Sequence, residues 1–169
     1  MKMDDDIKRP SFWISNVFIL MATVIGVYLA ASQGFEQAVQ FDTLRADKSN
    51  YYMRVSLRNE LASNVEHMKE YIDKVAKRID KPELVLDTFV WNSMTYSPSA
   101  LETPSALLRE AQAFYRRAPE IMNTPYFNNQ NKASNLGELI KHVEENVLPA
   151  FDADTDALRK SLKDRDQEV

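Results

Sequence analysis

The chain has 169 residues, of which 44% are hydrophobic and 27% charged, and a formal net charge of −4, values typical of a folded domain rather than a disordered chain. The mildly acidic balance offers no electrostatic surface for nucleic acid, so we expect no nucleic-acid partner. The lack of cysteine excludes disulfides and thiol nucleophiles, and with only 3 glycines the chain contains no glycine-rich phosphate loop or dinucleotide fingerprint.

The first predicted element is a run of 26 uncharged residues between Arg9 and Glu36. As an α-helix this run would extend about 39 Å, which exceeds the ~30 Å hydrocarbon core of a bilayer. Trp13 and Tyr28, toward its two ends, suit the membrane interfaces. The sequence therefore predicts a transmembrane helix over residues 12–33, with the lipid bilayer as its partner. No later segment is long and apolar enough to predict a second span.

A cleaved signal peptide is the alternative for this run, because Ala30-Ala31-Ser32 resembles a small-residue cleavage site. The apolar stretch over residues 12–31 is longer than the roughly 7–15 residues of a signal-peptide hydrophobic region. The length favours an uncleaved signal anchor.

The charges next to the span predict its orientation. Lys8 and Arg9 directly precede it, whereas Glu36 is the first charge after it, a distribution that places the amino terminus in the cytoplasm. We therefore expect a short cytoplasmic tail over residues 1–11, an extracytoplasmic helical domain over 35–162 and a frayed polar tail over 163–169. Eleven asparagines without a glycosylation sequon favour a bacterial source, and hence the inner (plasma) membrane with a periplasmic or extracellular domain.

Small residues recur every four positions inside the span, which places them on one helix face and allows close approach of a second helix. Two polar residues near that face have side chains able to form hydrogen bonds between helices. The alternative is chance recurrence, since glycine and alanine are common in spans. The predicted packing face consists of Asn16, Ala22, Thr23, Gly26, Ala30 and Gly34.

A second apolar stripe follows the span with successive spacings of 4, 4, 3, 4, 3 and 4 residues, the pattern of one helix face. We call this stripe the helix seam; it consists of Leu57, Leu61, Val65, Met68, Ile72, Val75 and Ile79. No proline interrupts residues 35–81, so one helix is predicted from near the membrane to Asp80, with Ser49-Asn50 as a weak point. The predicted fold class is all-α: a single N-terminal transmembrane helix followed by an antiparallel bundle of about four helices.

Two further segments are predicted before the last long helix. Residues 83–95 are apolar over much of a helical circumference and predict a buried helix, with a short strand as the alternative. Thr103-Pro104 predicts an N-cap followed by proline at the first helical position. This helix carries Leu107, Ala111, Phe114 and Ile121, and Pro119 is expected to kink or interrupt it near Ala118.

The last part of the chain is predicted to contain a loop over 128–132 and then a long helix. Asn135 and Glu138 resemble a capping box that opens this helix. Pro149 and the acidic run over 152–156 are expected to break it before a short terminal helix.

The two histidines provide the candidate metal ligands. His67 and Glu70 lie three residues apart, and His142 and Glu145 repeat the spacing. Carboxylate-bridged di-metal bundles use the opposite order, Glu-x-x-His, with further glutamates on two other helices. We therefore expect solvated neighbours rather than a metal site.

Asp152, Asp154 and Asp156 alternate like the start of a calcium-binding loop. The pattern then fails, because Ala157 and Lys163 stand where the loop needs glycine and glutamate. These aspartates are expected to charge the first turn of the terminal helix instead.

An aromatic group could line a ligand pocket, with Arg116 and Arg117 beside it for an anion, although core packing and a solvated helix face are the favoured interpretations. The group consists of Phe89, Trp91, Tyr96, Phe114, Tyr115, Tyr126 and Phe127. A small-molecule ligand thus has no specific support in the sequence.

These features predict an interaction or accessory protein, a subunit or scaffold of a membrane complex whose partner is a second copy or another membrane protein. The alternative is an extracytoplasmic, sensor-like ligand-binding bundle that acts through a partner. A membrane-anchored enzyme is the third possibility, but no serine-nucleophile motif or carboxylate pair in an apolar setting is present, so we expect no catalytic residues and no cofactor.

Overall fold

The computed structural model describes residues 10–79 and 81–166, and within them all regular secondary structure is helical. The helices are α1 (Pro10–Ala76), α2 (Phe89–Thr95), α3 (Ser99–Glu102), α4 (Ser105–Asn123), α5 (Asn129–His142) and α6 (Leu148–Asp166). A π-helical segment (Val143–Val147) joins α5 directly to α6. The predicted all-α class is confirmed for this part of the chain.

The chain divides into two units, an N-terminal unit over Met1–Leu44 and a C-terminal unit over Arg45–Val169. In the N-terminal unit α1 is long and apolar enough to cross a membrane, and none of its most apolar window is buried. Residues 35–43, at the start of the predicted second domain, are exposed along α1. Residues 1–9 of the predicted tail lie outside the described residues.

Helix α1 is continuous through the predicted weak point at Ser49-Asn50 and ends at Ala76. Its end is a Schellman turn: Arg78 adopts φ 54° and donates its N–H to the carbonyl of Val75, while Ile79 donates to the carbonyl of Lys74. The turn ends the helix before Asp80, which lies outside the described residues.

The core of the C-terminal unit combines side chains from α1, α2, α4, α5, the π-helical segment and α6. The buried apolar residues are Leu57, Leu61, Val65, Met68, Tyr71, Met94, Leu107, Ala111, Phe114, Ala118, Leu136, Leu139, Ile140, Val143, Val147, Phe151 and Leu162. Of the helix seam, Ile72 and Val75 are partly buried at the edge of this core, and Ile79 lies beyond the end of α1 and is 49% exposed. Most of the seam is therefore covered by helices of the same chain.

The segment over residues 83–95 is only half helical, which corrects the predicted buried helix. Residues 82–88 form no regular structure, and α2 begins at Phe89. Pro82, Leu84 and Leu86 are partly buried and alternate with exposed neighbours, the period of an extended chain. The apolar residues of the segment therefore come from two sources, the alternating positions of the extended residues 82–88 and the helix α2.

The predicted start and interruption of α4 are both wrong. Pro104, with φ −51° and ψ 128°, is itself the N-cap, so the helix begins at Ser105 and Thr103 is not the cap. Pro119 lies inside a helix that continues to Asn123. Pro119 removes the helical hydrogen bond to the carbonyl of Tyr115, and the neighbouring side chains of Phe114 and Ala118 are buried in the core.

Helix α5 begins earlier than predicted, so the loop over 128–132 and the Asn135–Glu138 capping box are wrong. Asn128 is the N-cap, and its Oδ1 accepts a hydrogen bond from the N–H of Asn131 at 2.8 Å. Asn135 instead donates its side-chain amide to the carbonyl of Asn131, one turn earlier in the same helix. An asparagine seven residues upstream of the predicted cap thus supplies the capping acceptor.

Pro149 and the acidic run do not break the last helix, because a π-helical segment precedes them. In a regular α-helix the Pro149 ring would clash with the carbonyl of Glu145. Leu148 donates its N–H to the carbonyl of Val143, five residues earlier. This wider turn makes room for the ring of Pro149. Helix α6 then extends to Asp166, into the expected polar tail, of which residues 167–169 lie outside the described residues.

We expect Leu61→Ala to lower the free energy of unfolding of the C-terminal unit by about 2–5 kcal/mol, because Leu61 is fully buried and its truncation leaves a cavity in the core. Ile79→Ala, at the exposed end of the same seam, is the matched control and should change stability by less than about 0.5 kcal/mol. Urea unfolding of the full chain in detergent, followed by circular dichroism, measures both. Equal effects of the two variants would contradict the burial of the seam.

Candidate functional site

The predicted packing face of the N-terminal unit is exposed in this chain. Ala22, Ala30 and Asn16 are exposed, and a Cβ added at Gly26 or Gly34 would meet no atom within 4 Å. The Thr23 hydroxyl donates to the carbonyl of Ile19 at 2.8 Å, so its proton is already used within α1. The face therefore has room for a second helix, and Thr23 could contribute to such a contact only as an acceptor.

The C-terminal unit has a polar network on α1 that was not singled out by the sequence. Four polar side chains of α1 are buried there: Asn50, Arg54, Glu60 and Asn64. They contact mainly residues 82–103, the segment made of the extended residues 82–88 followed by α2 and α3, which we call the strap. The sequence signal was weak, because polar residues interleaved with the seam have the same periodicity as a solvated helix face.

Glu60 is the centre of this network. Its carboxylate accepts the backbone N–H groups of Val90 at 2.5 Å and Trp91 at 3.0 Å, at the start of α2. It also accepts the hydroxyl of Tyr115 from α4 at 2.5 Å. Burial and the bond to Glu60 raise the pKa of Tyr115, which therefore stays a neutral donor. One buried carboxylate thus joins α1, α2 and α4 without a cation among its hydrogen-bond donors.

Asn64 fixes the strap one turn further along α1. Its Oδ1 accepts the N–H of Asp87 at 2.7 Å, and its Nδ2 donates to the Asp87 carbonyl at 2.8 Å. Ser63 donates its hydroxyl to the Asp87 carboxylate at 3.1 Å. This two-way pairing of an amide with a backbone peptide group orders the end of the extended segment just before α2.

Asn50 and Arg54 hold the other end of the strap. Asn50 donates its side-chain amide to the Glu102 carboxylate, and Arg54 donates to the Glu102 carbonyl at 2.5 Å. Arg54 also pairs with Asp154 of α6 at 2.9 Å. A single guanidinium therefore connects α1 to both the strap and the last helix.

Two carboxylates of the acidic run of α6 pair with arginines of α1. Arg58 donates to both oxygens of Asp152, at 2.8 and 3.0 Å, in addition to the pair between Arg54 and Asp154. Asp152 and Asp154 therefore attach α6 to α1 through ion pairs. The sequence had instead predicted that these aspartates would charge the first turn of a terminal helix. Calcium binding through these carboxylates would require both arginines to leave.

The two histidines lie at separate positions. The Nδ1 of His67 lies 4.0 Å from Asp87, while the Nε2 of His142 lies 3.0 Å from Glu110 of α4. Within residues 10–79 and 81–166 no group of three or more possible metal ligands occurs. Neither predicted His and Glu pair becomes part of a larger ligand set.

The aromatic group does not line one pocket. Phe114 is buried, Trp91 stacks on Tyr115 with ring centroids 5.2 Å apart, and three others, Phe89, Tyr96 and Tyr126, are exposed. Arg116 and Arg117 are also exposed on α4, and Arg116 lies 3.9 Å from Glu120. The group thus splits into core packing and exposed surface.

An open cleft of about 480 Å³ lies between the end of α1 and the start of α5. Its walls are Val75, Ile79, Arg78, Lys81 and residues 128–130. Arg78 and Lys81 form no ion pair with another described residue. The combination of two cations and an apolar wall would suit a small anionic molecule.

Comparisons of the chain with protein-family models, curated proteins and solved structures found no match.

We expect the free energy of unfolding to fall as the pH rises above about 10, the ordinary pKa of tyrosine. Burial raises the pKa of Tyr71 and Tyr115 in the folded chain, so both ionise in the unfolded chain first, and their stabilising contribution is complete below about pH 10 and is lost above it. Urea unfolding from about pH 8 to about pH 11 measures this fall.

Tyr115→Phe should make that fall less steep, whereas Tyr126→Phe, at an exposed tyrosine, should leave it unchanged. The same pH dependence in wild type and Tyr115→Phe would show that the Tyr115 hydroxyl is not held as described.

Proposed function

We propose that this protein is a single-span membrane protein whose helical domain acts as an interaction or accessory subunit, or as a scaffold, of a membrane complex. The observation that carries the proposal is the apolar window of α1, none of which is buried, in the same helix that supplies the seam of a folded core. Apolar surface of this extent is stable in lipid or against another apolar surface, and a helix satisfies its own backbone groups there.

The proposed arrangement places the short N-terminal tail in the cytoplasm and the C-terminal unit outside it, at the inner membrane of a bacterium. Lys8 and Arg9 before the span support this orientation. The C-terminal unit would be an antiparallel bundle of about four helices, a proposal supported by the shared core of α1, α4, α5 and α6. The span would be retained as a signal anchor.

The proposed partner is a second copy of the chain or another membrane protein, bound through the small-residue face around Gly26. The open space at Gly26 and Gly34 supports close helix approach there. The helix seam is less suited to this role, because Leu57, Leu61, Val65 and Met68 are buried within the chain. Association is therefore expected through the span.

The alternative, a sensor-like domain that binds a ligand and acts through a partner, has a candidate position in the cleft around Arg78 and Lys81. We prefer the interaction role, because the cleft is open and both cations are exposed, whereas ligand sites bury most of the ligand surface. We propose no enzymatic activity.

Membrane anchoring is tested by expressing the full chain with a C-terminal tag in a bacterium and washing the membranes with alkaline carbonate. We expect full-length protein in the pellet, because an apolar helix of this length remains in lipid. Added protease should digest the C-terminal unit in spheroplasts and spare it in intact cells.

Recovery of a soluble product trimmed near Ser32 would instead support a cleaved signal peptide and contradict the anchor. Digestion of the tag only after lysis of the spheroplasts would leave the anchor intact and reverse the orientation.

Gly26→Ile should reduce crosslinking or co-purification through the span at least several-fold, because the new side chain prevents close helix approach. Ala31→Ile is the matched control, since it adds comparable bulk about 140° around the same helix. Membrane insertion, checked by carbonate washing, should be unchanged in both variants. If both variants associate like the wild type, the small-residue face is not the contact.

A further inference from the structure

The strap contributes one fully buried apolar side chain, Met94, to the core of the C-terminal unit, fewer than α1, α4 or α5 contributes. Among its residues with described side chains only Met94 and Thr103 are buried, while Leu84, Leu86, Val90, Trp91 and Ala100 are partly buried at the edge of the core. Tyr96 and Leu101 are 91% and 92% exposed. The strap therefore has an apolar outer surface as well as a partly apolar underside.

Hydrogen bonds from side chains hold the strap to the rest of the unit at three places. Asn64 and Ser63 bind Asp87, the Glu60 carboxylate binds the N–H groups of Val90 and Trp91, and Asn50 and Arg54 bind Glu102. Water can replace each of these bonds when the strap leaves, so their net contribution to stability is modest. Apolar contacts have no such replacement, and they hold α1, α4, α5 and α6 together.

We propose that the strap detaches from α1 as one cooperative unit while α1, α4, α5 and α6 stay folded. Detachment would leave the strap joined to the unit at its two ends, after the Schellman turn of α1 and before Pro104. It would add the underside, with Leu84, Leu86 and Val90, to the exposed outer surface, and so produce one continuous apolar segment. Local opening of this kind is the usual behaviour of segments with few buried apolar contacts.

The amides of Asp87, Val90 and Trp91 report directly on detachment, because each donates its N–H to a side chain of α1. Hydrogen exchange of the full chain in detergent micelles, resolved by residue with NMR, measures the opening of each amide. We expect all three to share one opening constant, at least about tenfold larger than that of amides in the middle of α4, near Ala111 and Phe114.

Two outcomes of this measurement would overturn the proposal. Opening constants that match those of α4 would show that the strap leaves only when the whole unit unfolds. Widely different constants among the three amides would show separate local fluctuations rather than one cooperative motion. The wild-type measurement is therefore decisive without any variant.

Asn64→Ala tests the cooperativity by a second route. It removes the bonds to Asp87 and a 3.5 Å bond to the Tyr115 hydroxyl, and it leaves the bonds of Glu60 to Val90 and Trp91 in place. We expect exchange at Val90 and Trp91 to accelerate by about tenfold while α4 is unchanged. Asn135→Ala is the matched control, since that side chain bonds only within α5. Acceleration at Asp87 alone, or equally throughout the unit, would contradict the proposal. Should Asn64→Ala fail to fold, Ser63→Ala makes the same test with a smaller expected acceleration.

Discussion

The continuity of α1 is the constraint on which the rest of the structure depends. One uninterrupted helix supplies an apolar segment with no cover in the chain and, further along, the seam residues Leu57, Leu61 and Met68 that the core requires. Asn50, a weak helix former at the predicted weak point, is buried and binds Glu102. A tertiary contact thus holds Asn50 in the helix at the position where a break was expected. The same contact attaches the C-terminal end of the strap to α1.

Apolar and polar contacts on α1 have different consequences. The apolar contacts supply most of the free energy of folding, whereas the buried polar groups add little net stability but impose a large cost if they are left unpaired. Glu60 therefore selects the position of α2 more than it stabilises it, because a displaced α2 would leave the buried carboxylate without the N–H groups of Val90 and Trp91. Water can replace the hydrogen bonds that specify where the strap lies. The apolar surface that separates from the core is then limited to Met94 and the partly buried side chains at the core edge.

Periodicity is informative for the seam, because spacing along one helix reports directly on which face is covered, and its residues from Leu57 to Met68 are buried. Boundaries inferred from proline were less successful: Pro119 and Pro149 lie inside helices, the first beside core packing at Ala118 and the second after a π-helical segment. Neither compensation has a local sequence signal. The polar network was missed for a related reason, since Asn50 and Glu102 are 52 residues apart and Arg54 and Asp154 are 100 apart. Such pairs depend on the packed arrangement of several helices, which spacing within a single helix does not contain.

The distribution of exposed apolar surface favours binding of macromolecules over binding of a small ligand. A ligand site needs an enclosed cavity with a few fixed polar groups, and the cleft at Arg78 and Lys81 is open, with exposed cations. The uncovered apolar groups are instead on the outside of helices, along the span and on the strap at Phe89, Tyr96 and Leu101. The buried polar side chains of α1, by contrast, are nearly all used within the chain, on the strap, α4 and α6. The proposed interaction role therefore assigns these polar groups to the chain's own fold and the exposed apolar surface of the span and the strap to the partner.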